Sequence, residues 1–237
     1  RPCIFEYIYF SRPDSIIKKT SFYEYRKRLG AELAKESHIE SDLIIPVPDS
    51  GVPAAIGYSE EIKNNYELGI IRNHYVGRTF IEPTQQIRSL GVKLKHNVNK
   101  SLIKNKSLIL IDDSLVRGTT SVKIIKMLYE AGAKKIHLRI ASPPIKYPDY
   151  YGVDTPNQNE LLAAKLDLEG MRKFINATTL EFLSLEGLYK SMGYEKRNSS
   201  YPQFTDHCFT GEYPVEPVDA NSKDFMDKKI SLMSSKS

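Results

Sequence analysis

A chain of 237 residues with 41% hydrophobic and 27% charged residues has the make-up of a globular protein, long enough for one sizeable domain or two small ones. Its net charge of +5 is small and scattered, which argues against a nucleic-acid stripe, and its apolar runs fall far short of the ~20 residues of a membrane helix. Two remote cysteines, Cys3 and Cys208, and no apolar signal region at the start give the expectation of a soluble, cytoplasmic protein without a disulfide framework.

Residues 4–10 (IFEYIYF) alternate apolar and polar-aromatic positions, which predicts a half-buried strand whose aromatics serve packing. After the turn Ser11-Arg12-Pro13-Asp14, residues 22–35 predict a helix. Its apolar positions Phe22, Tyr25, Leu29 and Leu33 are spaced by three and four, and Ser21 with Glu24 forms a capping box. Strands are predicted over 42–47, 67–71, 107–111 and 135–141, and helices over 52–63 and 119–131, the latter stopped by Gly132. This strand–helix rhythm implies an α/β domain with a mostly parallel sheet flanked by helices, and ligands of such sheets bind at the carboxyl ends of the strands. Residues 1–213 form the domain on this reading. Residues 214–237 are a polar tail, either partly disordered or docked on the domain. The chain contains no internal repeat.

The most informative stretch is Leu108-Ile109-Leu110-Ile111-Asp112-Asp113-Ser114-Leu115-Val116-Arg117-Gly118-Thr119-Thr120. A buried strand delivers two adjacent carboxylates to its end, and a loop rich in hydroxyls then runs into a helix. Loop amides and a helix N-terminus suit a phosphate, and the hydroxyls of Ser114, Thr119 and Thr120 add donors. Two ionised carboxylates beside a phosphate repel it unless they face hydroxyls or Mg²⁺. The physics therefore asks for a sugar phosphate.

The whole string resembles the phosphoribosyl pyrophosphate (PRPP) signature of type I phosphoribosyltransferases. Its Arg117-Gly118-Thr119-Thr120 ending is similar to that of glutamine PRPP amidotransferases, and so are the opening CIFEYIYFSRPDS and the stretch Asn73-His74-Tyr75-Val76-Gly77-Arg78-Thr79-Phe80-Ile81. The resemblance implies the type I phosphoribosyltransferase fold and a Mg²⁺-dependent displacement of pyrophosphate from PRPP by ammonia, giving 5-phosphoribosylamine, the first step of purine synthesis. It places Asp112 and Asp113 at the ribose hydroxyls and Mg²⁺, with the 5′-phosphate in the loop Ser114, Leu115, Val116, Arg117, Gly118, Thr119 and Thr120. A second loop, Pro48-Asp49-Ser50-Gly51, corresponds to the pyrophosphate loop; relatives with serine at Gly51 would have a hydroxyl that is missing here. Residues 72–88 correspond to a lid in which Arg72 and Arg78 reach the pyrophosphate, while Tyr75 and Ile81 wall an ammonia route. Relatives often carry lysine at Arg72 and arginine at His74.

The same resemblance implies a homo-oligomer inhibited by purine nucleotides, and a glutaminase half that this sequence does not contain. Ammonia then comes from a longer parent protein, a partner glutaminase or solution. Cys3 and Cys208 stand at two of the four positions that hold an iron–sulfur cluster in some members, with Asp149 and Thr205 at the others. Two thiolates fall short of Cys₄ ligation, so two free thiols are expected. His207 beside Cys208 has no evident companions for a metal site. The Asn99, Asn176 and Asn198 sequons read as chance matches. Two other functions compete: a PRPP- or nucleotide-binding regulatory module without catalysis, and a salvage transferase acting on a purine base, against which the Arg-Gly-Thr-Thr ending speaks.

Overall fold

The computed structural model describes residues 1–73, 96–151 and 157–215. In chain order, a π-helical turn (Glu6–Phe10) is followed by a small hairpin, β1 (Ile16–Ile17) and β2 (Thr20–Ser21), and by α1 (Phe22–Glu36). Next come β3 (Leu43–Pro46), α2 (Val52–Ile62), β4 (Ile70–Arg72), β5 (His96–Val98) and α3 (Lys100–Ile103). The second half contributes β6 (Ser107–Asp112), α4 (Thr119–Glu130), β7 (Lys135–Ile140), α5 (Leu162–Lys165) and α6 (Leu168–Ile175). It ends with β8 (Thr179–Phe182), α7 (Leu185–Ser191) and α8 (His207–Thr210).

The main sheet has the order β3-β6-β7-β8 and is parallel throughout. Both of its faces are covered, which explains why β6 reads as an unbroken apolar run. Ile109 and Ile111 pack with α1, α2 and α7 on one face. Leu108 and Leu110 pack with α4 and α6 on the other. Ser21 caps α1 by accepting from the Glu24 amide at 3.2 Å. Asp167 caps α6 and Ser184 caps α7 in the same way. No helix among the described residues is long and apolar enough to cross a membrane.

Three expectations are corrected. Residues 4–10 are not a strand. The buried residues are Ile4, Phe5, Tyr7 and Ile8, a spacing of three and four that suits a helical turn, while Tyr9 and Phe10 stay about half exposed. Aromatic residues satisfy either period, and the contacts of Tyr7 with Phe22, Tyr25 and Phe204 decided between them. The strand expected at 67–71 is shifted to Ile70–Arg72 and pairs antiparallel with β5 in a separate ribbon. The fourth strand of the main sheet is instead β8, whose four residues Thr179–Phe182 lack the continuous apolar run that marks the equally short β3.

Candidate functional site

Two loops meet at the carboxyl end of the sheet because their strands are neighbours. Pro46 is in register with Ile111, and the Val47 amide donates to the Ile111 carbonyl at 2.8 Å. Behind β3 comes Pro48-Asp49-Ser50-Gly51, and behind β6 come Asp112, Asp113 and the loop into α4. Between them lies a cavity of about 560 Å³. It is lined by Val47, Pro48, Ser50 and His96, by every residue from Asp112 to Ser121, and by the aromatic wall Phe5, Tyr9 and Phe10.

Both acids are buried. Burial raises Asp112 well above the usual carboxylate range, and the neighbouring charge of Asp113 adds to the shift. Asp113 is also raised by burial, but donors oppose the shift: Ser114 Oγ donates to its Oδ1 at 2.6 Å, and Ser50 and Arg26 favour the charged form. Two carboxylates held this way are stabilised by hydroxyl donors or by a cation placed between them and the cavity.

The loop that follows is tied down from behind. Leu115 is buried in the core, the Val116 carbonyl accepts from the Leu162 amide at 2.9 Å, and Arg117 pairs with Glu160 at 2.8 Å. Gly118 has φ +74°, and a Cβ there would meet Leu162 Cδ2 at 2.8 Å, so glycine is required. Gly118 also leaves α4 without a side-chain cap. Among the described residues, no acceptor engages the backbone amides of residues 114–121. A run of unengaged amides at a helix N-terminus binds anions.

The structure thus brings Ser50, Asp112, Asp113, Ser114, Leu115, Val116, Arg117, Gly118, Thr119 and Thr120 to one cavity. Asp49 and Arg72 form an exposed ion pair with each other at 2.5 Å. Gly51 sits behind the loop, where a Cβ would meet the Ile111 carbonyl oxygen at 2.5 Å and that of Val47 at 2.9 Å. A side chain there presses on β6, so a hydroxyl at this position requires the loop to shift away from that strand. Tyr75, Arg78, Ile81 and His74 lie outside the described residues. Sequence reasoning missed the aromatic wall, because residues 4–10 were read with the wrong period. It also missed Arg26, a charged residue next to Tyr25 on the helix, whose burial no periodicity marks.

The four positions compared with cluster ligands also meet in space. Cys3 bridges to Thr205, and both line a second cavity of about 640 Å³ with Asp149 and His207. Asp149 Oδ2 is engaged with His207 Nε2 at 2.7 Å, and Thr205 Oγ1 donates to the Pro2 carbonyl at 3.3 Å. Burial raises both thiols, Cys208 the more strongly. Two thiols, a carboxylate engaged with His207 and a hydroxyl bonded to Pro2 O do not supply the four thiolates of such a cluster.

No family model matches the chain. It is 55% identical over 236 residues to an amidophosphoribosyltransferase of Rhizobium etli, covering 99% of this chain and 47% of the relative. It is 49% identical over 230 residues to the chloroplastic amidophosphoribosyltransferase 2 of Arabidopsis thaliana, covering 96% of this chain and 40% of the relative. Among solved structures, the glutamine PRPP amidotransferase of Bacillus subtilis complexed with ADP and GMP superposes with a TM-score of 0.82 at 48% identity. That match covers 90% of this chain and 47% of the other, and it carries the same parallel sheet with flanking helices. The chain spans about half the length of the curated relatives it matches.

Proposed function

We propose that this chain, a homologue of one half of the amidophosphoribosyltransferases, is the transferase half of such an enzyme and exchanges the pyrophosphate of PRPP for ammonia. The observation that carries the reading is the pair Asp112–Asp113 set directly before the unengaged amides of residues 114–121. A ribose 5-phosphate has the matching chemistry, with vicinal hydroxyls that donate to carboxylates and a dianion that accepts from amides.

In the reaction the bond from C1 to the pyrophosphate oxygen breaks and that oxygen keeps the electron pair. The ammonia nitrogen bonds to C1, and the resulting ammonium gives a proton to solvent. Ammonia attacks as the free base, so no side chain has to deprotonate it first. The amides of 114–121 hold the 5′-phosphate and fix the ring. Asp112 and Asp113 orient the hydroxyls, and their charge favours the positive character that develops on the ribose. Ser50 and the loop after β3 stand where the leaving group is received. The donor set also suits Mg²⁺, a hard cation that takes one or two carboxylates together with substrate oxygens. When bound by Asp112 and Asp113, Mg²⁺ supplies charge neutralisation to the pyrophosphate. The lid assigned to Tyr75, Arg78 and Ile81 would exclude water, which otherwise competes for C1.

Purine nucleotides share a ribose phosphate with PRPP and would compete for the same cradle. The test is pyrophosphate release from PRPP, Mg²⁺ and ammonium at alkaline pH. Asp113→Asn is expected to lower the rate about 10²-fold or more. A wild-type rate no higher than that of Asp112→Asn/Asp113→Asn would overturn the reading.

A further inference from the structure

Arg26 is a buried arginine without an ion-pair partner among the described residues. It projects from α1, and its guanidinium is spent on main-chain carbonyls. Nε donates to Tyr7 O at 3.2 Å, and Nη2 donates to Ser11 O at 2.6 Å and reaches Glu6 O at 3.5 Å. These carbonyls belong to the π-helical turn and to Ser11, which caps it, and the turn's last residues, Tyr9 and Phe10, wall the cavity. The rings run from core to cavity: buried Phe5 meets Phe10 at 5.4 Å, and Phe10 meets Tyr9 edge-on at 5.3 Å. Burial lowers the pKa of the Arg26 guanidinium, and the charge of Asp113 is the foremost influence opposing that shift.

We infer that Arg26 is a positioning residue of the ribose-phosphate site, clamping the turn 6–11 onto α1 so that Tyr9 and Phe10 stand as a fixed wall opposite the acids. The planar fork suits carbonyls that diverge around it, and lysine, a point donor on a flexible stem, does not reproduce it. The clamp can be measured without any ligand, but its effect on substrate rests on reading the cavity as a PRPP site.

The test uses Arg26→Lys and Arg26→Met, with lysine kept as the variant that retains a buried charge if the methionine protein folds poorly. In the unliganded protein, amide exchange over residues 6–11 should speed up about tenfold or more, while β6 and α4 keep their protection. The Kd for PRPP with Mg²⁺ should rise about tenfold, with kcat at saturating substrates changed by less than threefold. Tyr9→Ala/Phe10→Ala should weaken binding similarly and add little when combined with Arg26→Lys, because both remove the same wall. Wild-type exchange and affinity in Arg26→Lys, or fully additive losses, would overturn the inference. A wild-type protein that binds no PRPP strikes instead at the functional reading, and the exchange measurement then decides the clamp by itself.

Discussion

Gly51 illustrates what a single residue can and cannot reveal. In the sequence it sits in a turn-rich loop and looks like the loss of a hydroxyl. In the fold it marks the place where the β3 loop touches β6, because a Cβ would press on the carbonyls of Ile111 and Val47. Gly51→Ala should therefore destabilise the protein by about 1–3 kcal/mol through overpacking, read as a lowered urea midpoint at unchanged slope. A neutral result would show that the loop has room to move. Asp112, Asp113 and the residues up to Thr120 were legible because strand, acids, glycine and helix start all lie within one short segment. The Asp49–Arg72 pair was not legible, since it joins the loop after β3 to the end of β4, remote in sequence.

At the scale of elements, β7 carries an unusual load for a central strand, with His137 and Arg139 buried among its apolar residues. His137 Nδ1 lies 3.0 Å from Thr179 Oγ1 of β8, and Arg139 Nη1 donates to the same oxygen at 2.9 Å. Burial lowers the imidazole pKa from its ordinary 6.5, and the charges of Arg139 and Lys135 act in the same direction. The unfolded chain therefore binds more protons than the folded one. The stability His137 contributes is complete above its ordinary pKa and is lost as pH falls through that range towards the lower folded value. Urea midpoints should decline between pH 7.5 and pH 5.5, and His137→Gln should flatten that decline. An identical pH profile in the variant would remove His137 as the cause. The long helices α1, α2 and α4 were legible from their apolar period, whereas the shorter α6 and α7 were not, although Asp167 and Ser184 cap them. The strand β7 was legible as well, but its pairing with β8 shows the limit, because Thr179 meets His137 and Arg139 only across the two strands.

For the whole molecule, the contacts between the two ends of the described chain matter most. The Ile4 amide donates to Thr205 O at 3.1 Å, the Thr205 amide to Pro2 O at 2.9 Å, and the Lys146 amide to Cys208 O at 3.0 Å. The buried Asp149–His207 pair fastens the segment after β7 to α8. Asp149→Ala, which strips the acceptor from a buried imidazole, should cost about 1–3 kcal/mol, with Asp149→Asn milder. Because these contacts run directly from backbone to backbone and from side chain to side chain, a chelator should leave the melting temperature unchanged. A fall on chelation that persists in Asp112→Asn/Asp113→Asn would point to a metal in the second cavity. The sequence by itself determined the parallel α/β plan and the acid-and-amide cradle, because apolar period, turn chemistry and helix starts are properties of adjacent residues. Only the tertiary structure decided that Tyr9 and Phe10 line the cavity, that Arg26 ties their turn to α1, that β8 completes the sheet, and that Cys3 meets Thr205. Those pairings depend on which faces are buried together, and burial joins residues that the order of the chain keeps apart.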